Sequence, residues 1–471
     1  MNTESDTSPA TAGWKDVLGS GHRRPLALVC LSIWLHASMV TAMSTLIPEI
    51  VDEIGGVSLI PWTFALYEIG SIVVGAGSGL LVYRYRLRNP LSCASLVFAL
   101  GSVICALADF MPILLLGRLL QGVGGGGLIA ISFIAVSALF PNHLIPRVLA
   151  AVSAIWGASA FLGPLIGAFF AQQLSWQSAF WFFAFMSAVL SIWIRPNVSE
   201  NQDHEIAEVT RGFPIRRLSV LSVSVLLIAA AGINPSLGKT PIFVLLGIGF
   251  LGWFLRMDGK GQDNRLLPHR AIGFQNRVGA GLTMIFCFAI ATMAVTVYGP
   301  LFMVHIHQVS ILTAGYVVAC SSVGWSLGAV AVAGISTSRD TRAVMTGMLI
   351  LTVSIAGFVY AIVNGPVYLL ALLALMEGAG FGIAWASILR RMLSLIDLDD
   401  RERVSAAIPT LHRLGYAIGA AYIGIVANVG GLEMDVANET VDSVAQWIFL
   451  ASLPFAILGL YAAYRFVSKS P

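Results

Sequence analysis

The sequence predicts an all-α polytopic membrane protein. Two six-helix bundles are related by a pseudo-two-fold axis along the membrane normal, with two extra helices between them. Three observations carry this fold class. The chain is 57% hydrophobic and 11% charged, whereas soluble domains carry about 25% charged residues. Its mean hydropathy is +0.84, so the bilayer is its expected solvent. Apolar runs of about 20 residues, the length that crosses ~30 Å of hydrocarbon, recur along the whole chain. The chain also repeats itself: LLQGVGGG at 119–126 returns as LMEGAGFG at 375–382, and RVLAA at 147–151 returns as RVSAA at 403–407. Both matches share one offset of 256 residues, the signature of two halves in parallel orientation.

Residues 1–25 form a polar tail with no small-residue cleavage site before the first apolar run, so that run stays as a helix. The first half, 26–196, holds runs at 26–48, 61–82, 90–110, 113–138, 148–171 and 177–195. The second half, 277–467, holds runs at 279–303, 311–335, 343–363, 366–389, 404–428 and 444–466, before a short tail, 468–471. The connecting segment, 197–276, opens on a polar stretch and then carries two shorter runs, 217–233 and 241–256. These sit near the lower limit of about 17 residues. They are read as a helical hairpin over 217–256, with a re-entrant or surface-lying pair as the alternative.

The charges orient these spans. With the N-terminus inside, the inner loops and tails collect Lys15, Arg23, Arg24, Arg84, Arg86, Arg88, Arg147, Arg195, Arg211, Arg256, Lys260, Arg270, Arg339, Arg342, Arg390, Arg391, Arg465 and Lys469. The outer loops hold one basic residue, Lys239 in the hairpin, and otherwise acids, among them Glu49, Asp52, Glu53, Asp109, Glu433, Asp435 and Asp442. By the positive-inside rule both termini are cytoplasmic. Arg118 and Arg413 are left over inside spans. The five cysteines form no CxxC pair and no metal spacing, and are read as small core residues. No phosphate-binding loop is visible. The GVGGGG stretch lies mid-span with no strand before it, so no dinucleotide reading holds.

The fifth span reads WGASAFLGPLIGAFF, 156–170. Gly157, Gly163, Pro164 and Gly167 in this order resemble the antiporter motif of the major facilitator superfamily. Arg118-x2-Gln121-Gly122-x-Gly124 resembles that superfamily's fourth-helix motif. Trp62-x4-Tyr67 and the pair Gly324-Trp325 are similar to its 14-helix drug:proton antiporter branch. The resemblance covers essentially the whole chain. It implies alternating access, a gating role for the fifth-span motif, and a latch in the loop after the second helix. There Gly79 and Arg84 keep the family pattern, but Tyr83 stands in place of an aspartate and Arg86 in place of a glycine. The first-helix aspartate of proton-coupled members is Met39 here, with His36 the nearest polar group.

Ionisable groups inside a bilayer are costly and functional by default. At ~1.5 Å per residue Glu68 and Arg118 lie at similar depth, as do Glu377 and Arg413. Two pairs within the halves are therefore expected, either as fixed bridges or as proton carriers. A buried carboxylate favours its proton and a neighbouring arginine disfavours it, so breaking a pair switches protonation. Glu68, Glu377, Arg118, Arg413 and His36 are the proton-coupling candidates. Gln121, Trp34, Trp156, Tyr298, Trp325 and His412 are the candidates for the substrate cavity. The leading expectation is a monomeric, cofactor-free secondary transporter in a bacterial inner membrane. It is not an enzyme, and its partners are protons, lipid and a small amphipathic substrate, with no nucleic acid. Proton-coupled drug export comes first. Uptake or exchange of a specific nutrient such as a vitamin, motivated by the missing aspartates, is the rival. A non-transporting receptor or scaffold is the third reading.

Overall fold

The computed structural model describes residues 14–19, 21–141, 143–198, 213–261, 265–268, 271–396, 401–432 and 438–468. Most of both tails, the stretch 199–212, and the charges Arg211, Arg270, Glu433, Asp435 and Lys469 lie outside the described residues, as does the side chain of Lys15. A short α1 (Trp14–Val17) precedes the first half: α2 (Arg23–Ile54), α3 (Ile60–Tyr85), α4 (Arg88–Ala106), α5 (Met111–Leu139), α6 (Ile145–Gln173) and α7 (Trp176–Asn197). The hairpin is α8 (Ile215–Ala230) and α9 (Lys239–Gly259). The second half begins with α10 (Arg277–Ala291) and α11 (Met293–His307), one span broken at Thr292. It continues with α12 (Ile311–Ala331), α13 (Asp340–Asn364), α14 (Val367–Ser394), α15 (Arg401–Val429) and α16 (Asn438–Val467).

Among the described residues, 12 helices are long and apolar enough to cross a membrane, α9 included. Besides the four-residue α1, two helices fall outside that set. One is α8, with 16 residues; the other is α15, which carries His412 and Arg413 in mid-helix. Local chemistry sets the boundaries. Ser175, Asn276 and Ser310 accept backbone N–H groups that open α7, α10 and α12. Prolines sit in the first turns of α3, α5 and α6, where a missing N–H costs nothing.

The glycine run of α5 is a packing surface on two sides. A Cβ at Gly122 or Gly126 would collide with the backbone of Tyr67 or Ser71 on α3, and one at Gly124 with Phe98 on α4. The repeat does the same in the second half. Gly378 and Gly382 press on the backbone of Ser321 and Trp325 in α12, and Gly380 on Gly347 of α13. Close backbone approach replaces the hydrophobic drive that lipid removes. Paired serines supply polar glue: Ser92 with Ser191 at 2.8 Å and Ser95 with Ser187 at 3.0 Å join α4 to α7.

The halves meet at the ends away from the termini. Gly424 of α15 receives Pro61 of α3, and Gly315 of α12 receives Thr45 of α2 and Pro164 of α6. Phe161 lies 5.3 Å from Tyr316. Asn428 donates to Ser58 O at 2.9 Å and to Gly232 O at 2.8 Å, tying α15 to the first half and to the hairpin turn. The hairpin covers the α3–α15 seam. α8 packs on both of those helices, and Phe213 fills the space beside Gly77 of α3. α9 turns Ile242, Leu245, Ile248 and Trp253 outward, an apolar face suited to lipid. At the termini side, α6 and α12 present exposed Leu149, Leu327 and Val330.

Arg86 ends α3 at φ 61°, a backbone that favours glycine, in the position where the family pattern has one. Arg86→Gly is expected to stabilise the protein by about 1 kcal/mol, read as a higher thermal midpoint in detergent. Gly378→Ala is expected to cost about 2 kcal/mol by driving α12 off α14. Gly252→Ala, in open space on α9, should leave the midpoint unchanged or raised.

Candidate functional site

One hydrogen-bonded network crosses the molecule. Its centre is Arg413, at the middle of α15. The guanidinium donates to Glu68 Oε2 at 3.2 Å and to Ser71 Oγ at 2.6 Å, both on α3. Its second terminal nitrogen meets His36 Nε2 of α2 at 3.2 Å. An arginine has no acceptor, so His36 Nε2 must accept and the imidazole proton sits on Nδ1. Nδ1 in turn is 2.8 Å from the Tyr67 hydroxyl. Gly125 of α5 makes room for this contact, since a Cβ there would strike Tyr67 Oη.

Arg118 extends the network into the first half. It is 1% exposed and lies 4.3 Å from the centre of the Tyr67 ring. Nε donates to Thr63 O at 3.0 Å and Nη1 to Gln121 Oε1 at 2.8 Å. Gln121 Nε2 donates to Ser102 Oγ of α4 at 2.8 Å. A desolvated cation over an aromatic face contributes up to ~2 kcal/mol, which with these bonds offsets part of the burial cost.

These partners differ from the ones that depth along the helix predicts. Among the described residues Glu68 pairs with Arg413 of the other half, not with Arg118 of its own. Glu377 makes no ion pair with Arg413, and its Oε2 is buried without a hydrogen-bond partner. Rise per residue gives depth alone. The facing of a side chain depends on helix rotation, which packing decides, and Arg413 faces the seam with α3.

The cavity candidates divide. Trp156 stacks edge-on against His36 at 5.9 Å while 38% exposed, so it borders open space next to the buried network. Trp325 and His412 join Phe381, Trp385 and Tyr416 in an aromatic group of the second half. Trp34 instead packs on Phe182 and Phe183 of α7, Tyr298 is fully buried against Phe302, and Gln121 is wholly engaged by Arg118 and Ser102. In the fifth-span motif, Gly163 and Gly167 press α6 onto Thr41 and Thr45 of α2, and Pro164 faces α12. Gly157 comes near Ser326 of α12, at the crossing of the halves. Gly79 lies in open space, and Arg84 is exposed over the Tyr85 ring. Sequence reading missed Ser71, Thr63, Ser102 and Phe381. The i, i+3 spacing of Glu68 and Ser71, and the i, i+4 spacing of Glu377 and Phe381, are signals that could have found two of them.

Removing one partner of a buried pair leaves an uncompensated charge, whereas removing both is mild. Arg413→Gln alone is expected to cost about 3 kcal/mol, and Arg413→Gln with Glu68→Gln distinctly less, as read in a double-mutant cycle of thermal midpoints. Strict additivity would contradict a coupled pair.

The family model described as Major Facilitator Superfamily matches residues 29–420. A probable multidrug-efflux transporter of Mycobacterium tuberculosis is 28% identical, over 98% of each chain. Multidrug resistance protein 3 of Bacillus subtilis is 24% identical over 84% of this chain and 78% of its own. Among solved structures, the peptide transporter POT in complex with alafosfalin superposes with a TM-score of 0.68 at 14% identity, covering 98% of both chains. The nucleoside transporter NupG does so with a TM-score of 0.63 at 13% identity, over 95% of this chain and 98% of its own. The matched family model spans most of the chain, and the protein belongs to the major facilitator superfamily of membrane transporters.

Proposed function

We propose that this transporter exports small amphipathic molecules by alternating access, driven by protons, from a bacterial inner membrane with both termini cytoplasmic. The observation that carries the reading is the Glu68–Arg413 pair joining the two halves at 3.2 Å, in a chain with relatives named for multidrug efflux and multidrug resistance. An exporter that runs on protons must not cycle when it holds neither proton nor cargo. An ion pair across the moving interface supplies that lock, because two charges sharing a desolvated contact resist separation.

With Glu68 ionised, the pair closes the outer end and the midplane. On this reading the inner ends of α6 and α12, where Leu149, Leu327 and Val330 are exposed, are apart, which is the inward-facing state. A proton on Glu68 removes its negative charge. Arg413 then keeps Ser71 and His36 but loses its counter-ion, and the halves can part. The sign is fixed by the chemistry: deprotonation holds the lock and protonation frees it. His36 holds Arg413 from the first-helix side, three residues before the family's aspartate position, Met39, which is fully buried among apolar groups.

Proteoliposomes with an imposed pH gradient and a cationic dye test this. Wild type should concentrate dye against its gradient. Glu68→Gln should equilibrate dye without concentrating it. Dye movement by wild type that ignores the pH gradient would overturn proton-driven export and favour facilitated exchange of a specific nutrient.

A further inference from the structure

The second half carries a polar group that the lock does not use. Glu377, Phe381 and Trp385 stand at i, i+4 and i+8, one face of α14. Trp325 of α12 stacks on Phe381 at 5.4 Å with the rings 13° apart, and lies 5.6 Å from Trp385. From α15, His412 sits 4.5 Å from Tyr416, 6.0 Å from Phe381 and 6.1 Å from Trp385. Glu377 is 5% exposed. Its Oε2 and the Nε2 of His412 are both buried without a hydrogen-bond partner among the described residues. Such orphans are rare in folded proteins and ask for a reason.

The repeat sharpens the point. At the offset of 256 residues, Gln121 corresponds to Glu377, Arg118 to Ala374, and Gly125 to Phe381. In the first half a neutral amide is satisfied by an arginine and a serine. In the second half the amide is a carboxylate, the arginine is absent from its place, and the small residue is an aromatic ring. The second half thus holds an acid without an internal cation, beside ring faces that attract one.

We propose that Glu377 and the Trp325–Phe381–Trp385–His412–Tyr416 group form a recognition subsite for an organic cation, either a protonated amine or a planar aromatic cation, with Glu377 as its counter-ion. The proposal rests on the export reading and divides the labour within it: Glu68 handles the proton and Glu377 the cargo.

Equilibrium binding of ethidium, a planar monocation, and of N-phenyl-1-naphthylamine, a neutral planar probe, is measured on the full chain in nanodiscs without any gradient. Glu377→Gln should weaken ethidium at least about tenfold and leave the neutral probe within about twofold, since the charge is all that changes. Trp385→Ala should weaken ethidium while leaving the elution profile intact. The proposal is overturned by any of four results. They are wild type failing to bind ethidium saturably, Glu377→Gln leaving ethidium unchanged, Glu377→Gln losing both probes alike, and Trp385→Ala binding ethidium like wild type. Export is scored separately in proteoliposomes. Flux that ignores the pH gradient while ethidium binding keeps its Glu377 dependence sinks the export reading and leaves the subsite standing.

Discussion

The contact between Arg413 and Glu68 sets the terms for the rest of the molecule. Each charge is expensive in a bilayer, and each is held by a partner from the opposite half. A bridge inside one bundle would be inert during a rocking motion. Under the proposed alternating access, a bridge between bundles is made in one state and broken in another. The surrounding bonds make this geometry hard to replace. Ser71 and His36 hold the guanidinium, Tyr67 holds His36, and Arg118 lies across the face of Tyr67. The family's other latch is altered. Tyr83 replaces its aspartate, and Arg86 occupies a backbone suited to glycine. Both changes fall at the C-terminal end of α3, whereas the Arg413–Glu68 pair joins the halves in mid-span.

The two halves share a scaffold and differ in chemistry. Glycines of α5 and α14 make equivalent backbone contacts, on α3 and α4 in one half and on α12 and α13 in the other. At the same offset, Gly157 of α6 corresponds to Arg413 of α15, and Trp156 to His412. An added Cβ at Gly157 would meet only Ser326 of α12, at 3.8 Å, an ordinary contact, while the arginine anchors α15 to α3. The halves differ where the repeat is broken: at Arg413, at Glu377, and at the aromatic residues grouped around His412.

Much of the fold was legible in the sequence. Apolar length gave the spans, because the membrane imposes it. The repeat gave the halves, and the glycine spacing gave the seams. The hairpin was harder, since α8 is too short to be decisive; it takes its meaning from packing on α3 and α15. The site was legible in composition and not in pairing. Glu68, Arg118, Glu377, Arg413 and His36 could be picked out because ionisable groups in apolar helices are conspicuous. Who meets whom depends on rotation about each helix axis and on which helices share a seam. Thus Gln121 and Tyr298 look like cavity residues on paper, yet one is wholly engaged by Arg118 and Ser102 and the other is packed against Phe302.

The central claim is that the charge state of Glu68 governs the separation of the halves. Spin labels at Ala150→Cys on α6 and Val330→Cys on α12, in a background without the five native cysteines, report the gap between the inner ends by electron–electron resonance. At alkaline pH the account predicts one long-distance population. Acidification of the wild type should add a shorter one, and Glu68→Gln should show both at every pH. Distance distributions that are the same in both proteins and across pH would contradict it.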